Sequence, residues 1–179
     1  MGGNQHIWYD IPKIPMIASK ITDAYITADP THEAAYRSYL TTFDTSLSPL
    51  LQTIASIKLH YGGTAVAYTE PVPGYALESA GLSVKTPEGF AKSIEDGTDP
   101  SPSDTNAMDM LMTSNEVKVL LYNSQTTSPV TENVKSLAKH ANIPVIGVSE
   151  TMPSSAKNYQ AWQLSQLDEL EHALTGTTQ

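Results

Sequence analysis

The side chains best suited to chemistry in this sequence stand where short apolar runs end. "TAVAY" (64–68) runs into Thr69-Glu70, "VKVLLY" (117–122) into Asn123-Ser124-Gln125, and "IPVIGV" (143–148) into Ser149-Glu150. Each run is β-branched, almost continuously apolar and bounded by turn residues, the pattern of a parallel strand buried on both faces. Open parallel sheets bind ligands at the carboxyl ends of their strands. Two of the three ends therefore deliver a carboxylate, Glu70 and Glu150, to one rim, and paired carboxylates suit a hard or borderline cation. The same glutamates also read as solvated loop acids or helix caps, and spacing does not decide between the readings.

Histidine would complete a mixed nitrogen and oxygen site, and there are five. His6, in "NQHIWYD", stands beside Trp8 and Tyr9 near a chain end, where chains usually fray. His60, in "KLHYGG", reads either as a ligand or as a surface residue. His32 and His172 fall among exposed helical positions, and His140 near a helix C-terminus, where its charge would complement the dipole. Residue types alone do not select His6 over His60. Rival chemistries are less well supported. "YNSQTTSP" offers hydroxyls for a serine hydrolase, but the chain has no G-x-S-x-G elbow, no G-x-G-x-x-G and no Walker A loop. Met108, Met110 and Met112 read as core filler before they read as a metal box.

Composition narrows the classes further. Zero cysteines remove disulfides, thiolate metal sites and cysteine nucleophiles together. A net charge of −9 without a basic cluster argues against a nucleic-acid partner. No apolar stretch approaches the length of a membrane span, and "MGGNQH" lacks the n-region and h-region of a signal peptide. With 40% apolar and 16% charged residues the chain has a globular composition.

The elements that must position these groups follow from periodicity. Ile7, Ile11, Ile14, Ala18, Ile21, Tyr25 and Ala28 alternate steps of four and three, which predicts an amphipathic helix whose regular part follows Pro12 and Pro15. "ADPTHEAAY" ends it and caps the next, a longer helical pattern from Tyr36 to Ile54 that Pro49 kinks. Beyond residue 64 the three strands alternate with helical segments at 73–81, 86–95, 101–114 and 128–142, and a last helix at 158–174 closes the chain. The reading is an α/β fold, a β/α unit with a mostly parallel sheet flanked by helices, preceded by an all-helical segment.

Four segments in order along the chain resemble the cluster A-I (TroA-like) metal-binding lipoproteins, the substrate-binding proteins of zinc and manganese ABC transporters. "NQHIWYD" is similar to that family's NPHxW segment, and "YTEPVPGYALESAGL" to its segment with a His or Glu ligand, an aromatic-rich turn and a GL ending. "DPSPSD" resembles its acidic EPSPxD stretch, and "IPVIGVSETMP" with "NYQAW" its terminal TDS segment and closing helix. Gln5 departs from the usual proline, and Glu150 stands where an Asp is usual, one methylene longer.

The resemblance implies His6, Glu70 and Glu150 as ligands of a divalent transition metal, zinc or manganese, and no catalysis. It implies half of a bilobed fold: residues 1–30 as a remnant of an N-terminal lobe carrying one ligand, 31–58 as an interlobe helix and 59–179 as the C-terminal β/α lobe. A further histidine, a signal peptide and a lipid anchor would lie upstream, outside the given sequence, on an extracytoplasmic protein that delivers its ion to a membrane permease. His6 would then sit on a segment short of packing partners, and the apolar face of the first helix would drive self-association. Two readings from other classes stay open: a β/α hydrolase with Glu70 or Glu150 as general base, and an adhesion or interaction module.

Overall fold

Pro12 and Pro15 determine where the first regular helix begins, since each tolerates only the opening turn of a helix. The computed structural model describes residues 4–176, so the outermost residues of the expected segments 1–30 and 59–179 lie outside the described residues. Two 3-10 turns, Ile7–Tyr9 and Ile11–Lys13, lead into helix α1 (Ile14–Ala28). The long second pattern is two helices, α2 (Glu33–Ser46) and α3 (Ser48–Tyr61), separated at Leu47. Pro49 falls in the first turn of α3, where the missing N–H would have had no helical partner. It therefore starts a helix where the sequence pattern suggested a kink.

Strands β1 (Ala65–Tyr68), β2 (Ser83–Val84), β3 (Leu120–Asn123) and β4 (Val145–Val148) form one sheet in the order β2-β1-β3-β4, with every pairing parallel. The two-residue β2 is too short to carry a periodic signal and went unread in the sequence. Helices α4 (Gly74–Ser79), α5 (Glu88–Glu95), α6 (Pro102–Thr113) and α7 (Pro129–His140) make the crossovers, and α8 (Tyr159–Thr175) ends the fold. Ser101, Ser128 and Asn158 cap α6, α7 and α8 by accepting backbone N–H bonds from Asp104, Thr131 and Ala161.

The runs of β1 and β3 are buried on both faces, as continuous runs require, while β4 at the sheet edge is fully buried only at Val148. Val66 and Leu121 join one cluster with Leu50, Ile57, Trp162 and Leu170, while Ala67 and Leu120 join the other with Phe90, Met108, Met112 and Val134. Met108 and Met112 are core residues one turn apart, and Met110 between them faces out.

The first cluster also contains Tyr9 and Ile11, at 1% and 0% exposure. The expectation that His6 sits on a segment short of packing is therefore corrected: its neighbours are seated in the core of the β/α unit. The first helix does differ. Thr22 is the one buried residue in α1, while Met16, Ile21 and Tyr25 stay more than half exposed. It packs mainly on α2, where Tyr25 stacks on Tyr36 with ring centroids 5.7 Å apart.

If the opening segment is integral to the core, Ile11→Ala costs about 2–4 kcal/mol of unfolding free energy, the usual range for a fully buried Ile. Urea denaturation checks this. A change below about 0.5 kcal/mol, the scale of surface substitutions, would mean that the segment is not held by the core.

Candidate metal centre

The parallel register places the ends of β1, β3 and β4 side by side, with Asn123 opposite Val148 and Tyr68 opposite Leu121. The residues just past those ends must then meet. Asn123, 1% exposed, directs its amide Nδ2 between the two glutamates. It donates to Glu70 Oε2 at 3.1 Å and lies 3.5 Å from Glu150 Oε2, with Thr126 Oγ1 at 3.2 Å. The amide's orientation is set by its other end, since Asn123 Oδ1 accepts the Gln125 N–H at 3.0 Å. The rim expected from the strand ends thus exists, with an uncharged donor between its two acids.

His6 reaches the rim from the opening segment. Asn4 Nδ2 donates to the carbonyl of Pro71 at 2.7 Å, which turns Asn4 Oδ1 toward His6. That oxygen accepts the His6 backbone N–H at 3.0 Å and stands 2.7 Å from Nδ1. Nδ1 therefore carries the ring hydrogen, and the Nε2 lone pair faces Glu150 Oε1 at 3.5 Å. Tyr75 donates to the Asn4 carbonyl at 2.9 Å, and a Cβ added at Gly74 would stand 3.0 Å from Asn4 Nδ2, so glycine there permits the close approach.

Residues just after His6 hold the partner loop. Trp8 Nε1 donates to the carbonyl of Glu150 itself at 2.9 Å, and the Tyr9 hydroxyl donates to the Ser149 carbonyl at 2.6 Å. Gln166 Oε1 accepts the Ser149 N–H at 2.8 Å, and Trp162 Nε1 donates to Ser149 Oγ at 2.8 Å. Burial holds the Tyr9 hydroxyl well above its ordinary pKa, so it remains a donor. On the other side Gln125 clasps Thr151, accepting its N–H and donating to its hydroxyl, both at 2.8 Å.

Two features of the donor set suit a small divalent ion. Glu70 Oε1 is buried without a hydrogen-bond partner, an orphan acceptor that a cation would satisfy. Two ligands on a tetrahedral zinc, each about 2.1 Å away, stand roughly 3.4 Å apart, and His6 Nε2 to Glu150 Oε1 is 3.5 Å. The set is not closed as it stands. Among the described residues no three His, Cys, Asp or Glu side chains are grouped tightly enough to hold a metal ion. Glu70 is drawn to Asn123, so its carboxylate must shift for all three to bind together.

Burial raises the pKa of Glu70 above the ordinary carboxylate value; the Asn123 bond pulls the other way, and the charge of Glu150 adds to the rise.

Two residues here are not singled out by the sequence. Asn123 is legible in the sequence as a strand-end residue able to assist the ligands, but no more so than Gln125. Glu95, at the end of α5, stands 4.0 Å from His6 Nδ1 and accepts from Gln5 Nε2 at 3.5 Å, yet nothing in the sequence separates it from Glu88 or Asp96. The other histidines are not brought to the rim. His32 pairs with Asp29, and His60 and His140 contact Ser56 and Ser136 on their own helices. His172 lines a groove between α8 and β4.

The family model of zinc-uptake complex component A, periplasmic (ZnuA), matches residues 2–173, and the chain belongs to that family. No curated protein sequence matches it significantly. Among solved structures, the laminin-binding adhesin Lmb of Streptococcus agalactiae is similar at TM-score 0.77 and 18% identity, covering 97% of this chain and 66% of that one. The FpvC solute-binding protein of Pseudomonas aeruginosa, solved with Mn2+, gives 0.73 and 19%, covering 96% and 63%. A Zn(II)-bound AdcAII variant of Streptococcus pneumoniae gives 0.75 and 19%, covering 94% and 60%. The chain thus spans 60–66% of the length of these structures, and the sheet and its helices share their fold.

A carboxyl group with a raised folded-state pKa binds more protons folded than unfolded, so between the two pKa values stability falls as pH rises. Glu70→Gln is therefore expected to raise the Tm of the metal-free protein at neutral pH. The gain should shrink toward zero on acidification to about pH 4, the ordinary Glu range. Thermal melts from pH 8 to pH 4 check this, and a gain that does not depend on pH would contradict it.

Proposed function

We propose that this member of the zinc-uptake component family captures a divalent transition metal, zinc or manganese, outside the cytoplasm and presents it to an ABC permease without chemical change. The observation that carries the reading is the convergence of His6 Nε2 and the carboxylates of Glu70 and Glu150 at one sheet rim, with a buried Glu70 oxygen unpartnered. In the same reading residues 1–30 are a remnant of an N-terminal lobe whose opening turns, through Tyr9 and Ile11, pack into the β/α unit, 31–58 connect the lobes, and 59–179 form the C-terminal lobe. A lipid anchor lies upstream. Among the described residues no helix is long and apolar enough to cross a membrane.

Hydrolysis is the weaker reading. Ser124, the first serine of "YNSQTTS", spends its hydroxyl on the carbonyl of Val148 at 3.0 Å and is not paired with a base. Adhesion is kept as a second reading because of the S. agalactiae neighbour, which is described as bifunctional with adhesin and metal-transporting activity. Binding to a matrix protein such as laminin that survives Glu70→Gln unchanged would support it. Self-association through the α1–α2 face completes the proposal: Ile21, Tyr25, Tyr39 and Phe43 line an open apolar groove of about 360 Å3. Sedimentation should show concentration-dependent dimers that Tyr25→Ser weakens, and a strict monomer at all concentrations would remove this element.

The metal reading is tested by isothermal titration of Zn(II) and Mn(II) into the chain and into a Glu70→Gln, Glu150→Gln double variant. The expected result is saturable binding that the double variant weakens by at least about 100-fold, beyond the range that outer-shell changes produce. Equal binding by both proteins would place the metal elsewhere and overturn the assignment.

A further inference from the structure

We propose that the free edge of β4, with the groove between it and α8, is a docking site for an extended segment of another protein that carries lysine or arginine at alternate positions. The inference is independent of the metal reading. The groove runs along the side of the sheet, and none of His6, Glu70 and Glu150 lines it.

Strand β4 is last in the sheet order β2-β1-β3-β4, so only one of its sides is paired. Leu120 and Ser124 donate to the carbonyls of Pro144 and Val148 at 2.9 and 2.7 Å. In such a ladder alternate residues face the partner strand, so Ile146 faces β3 too, while Val145 and Gly147 turn their N–H and C=O groups outward. Among the described residues those outward groups have no hydrogen-bond partner. Proteins blunt such edges with charged side chains, proline, bulges or a covering element. Beyond its short length, β4 carries none of these within the strand: it is Val-Ile-Gly-Val in unbroken register.

Beside this edge lies an open groove of about 830 Å3, floored by Ile146 of β4 with Leu164 and Ala173 of α8. Asp168 and Glu169 stand on its α8 wall, and no lysine or arginine lines it. Among the described residues neither acid is in a salt bridge. A strand that pairs with Val145 and Gly147 places every second side chain over this floor. Lysine or arginine there lays its apolar stem along Ile146 and Leu164 and reaches the acids with its charged head. Charge also decides against a second copy of the chain as occupant. Two β4 edges pair about a two-fold axis perpendicular to the sheet, which sets Asp168 and Glu169 of both copies against each other. Each copy moreover carries a net charge of −9. A basic segment meets the same acids with opposite charge, and its backbone supplies the missing ladder bonds.

The test is fluorescence anisotropy of a labelled peptide, Lys-Val-Lys-Val-Lys-Val, titrated with the chain, an Asp168→Lys, Glu169→Lys double variant and Val145→Pro. The same peptide N-methylated throughout is the control, since it keeps the charges and cannot donate to a strand. Both acids are exposed, and proline at 145 removes only an outward N–H, which an edge strand tolerates. The expected result is saturable binding that the double reversal weakens at least about 10-fold. Val145→Pro should weaken it at least about 5-fold, the scale of one lost hydrogen bond, and the methylated peptide should not bind. Thermal melts check folding; should Val145→Pro not fold, the charge reversal and the methylated peptide decide. No saturable binding overturns the proposal. Equal binding of the methylated peptide also overturns it, because that is charge attraction without strand pairing. Sedimentation showing a dimer that Val145→Pro returns to monomer overturns the peptide as occupant in favour of a second copy.

Discussion

Hydrogen bonds from Trp8 and Tyr9 to the carbonyls of Glu150 and Ser149 tie the opening segment of the chain to the loop after its last strand, and the geometry of the rim follows from that tie. Backbone carbonyls buried at a strand end need donors. Here the donors are supplied by residues two and three positions after His6. Once Trp8 and Tyr9 are seated, His6 has little choice but to face the loop that carries Glu150. Tyr159 reinforces the arrangement by donating to the Trp8 carbonyl at 2.7 Å, and the ring of Trp162 meets Tyr9 edge-on at 5.9 Å. Local packing at one end of α8 thereby fixes the relation between side chains 144 positions apart.

The electrostatics of the rim point in a consistent direction. Two carboxylates and a histidine lone pair converge, and among the described residues no lysine or arginine is one of their hydrogen-bond partners. Burying negative charge without a cation is unfavourable, and the raised pKa of Glu70 is one sign of it. Neutral amides from Asn4 and Asn123 orient the groups and leave the charge uncompensated. A site organised in this way holds free energy that an arriving cation recovers.

Stability is unevenly distributed. The central strands of the sheet are covered on both faces, and the opening segment is sealed into one of its cores. Helices α1 and α2 contribute little to either: α2 has no buried residue and α1 only Thr22. Elements with so few buried contacts open at low cost. The chain therefore combines a sheet rim held by the core with a helical pair that packs mainly on itself.

Much of the fold was legible in the sequence because it is written in local patterns. Continuous β-branched runs gave β1, β3 and β4, three- and four-residue spacing gave the long helices, and strand polarity brought Glu70 and Glu150 to one edge. Those features need only neighbouring residues and the pleat of a parallel sheet. The family resemblance supplied His6, which residue types alone could not separate from His60. Tertiary structure decided what depends on contacts between distant segments. It broke the long second helix at Leu47, which is fully buried, and it paired the two residues of β2 with β1. It set Asn123 between the acids, brought Glu95 beside His6, and aimed Nε2 rather than Nδ1 at Glu150 through Asn4 and Pro71. A hydrogen bond of about 3 Å is decided by the placement of whole helices and strands, and no local spacing in a sequence encodes that placement.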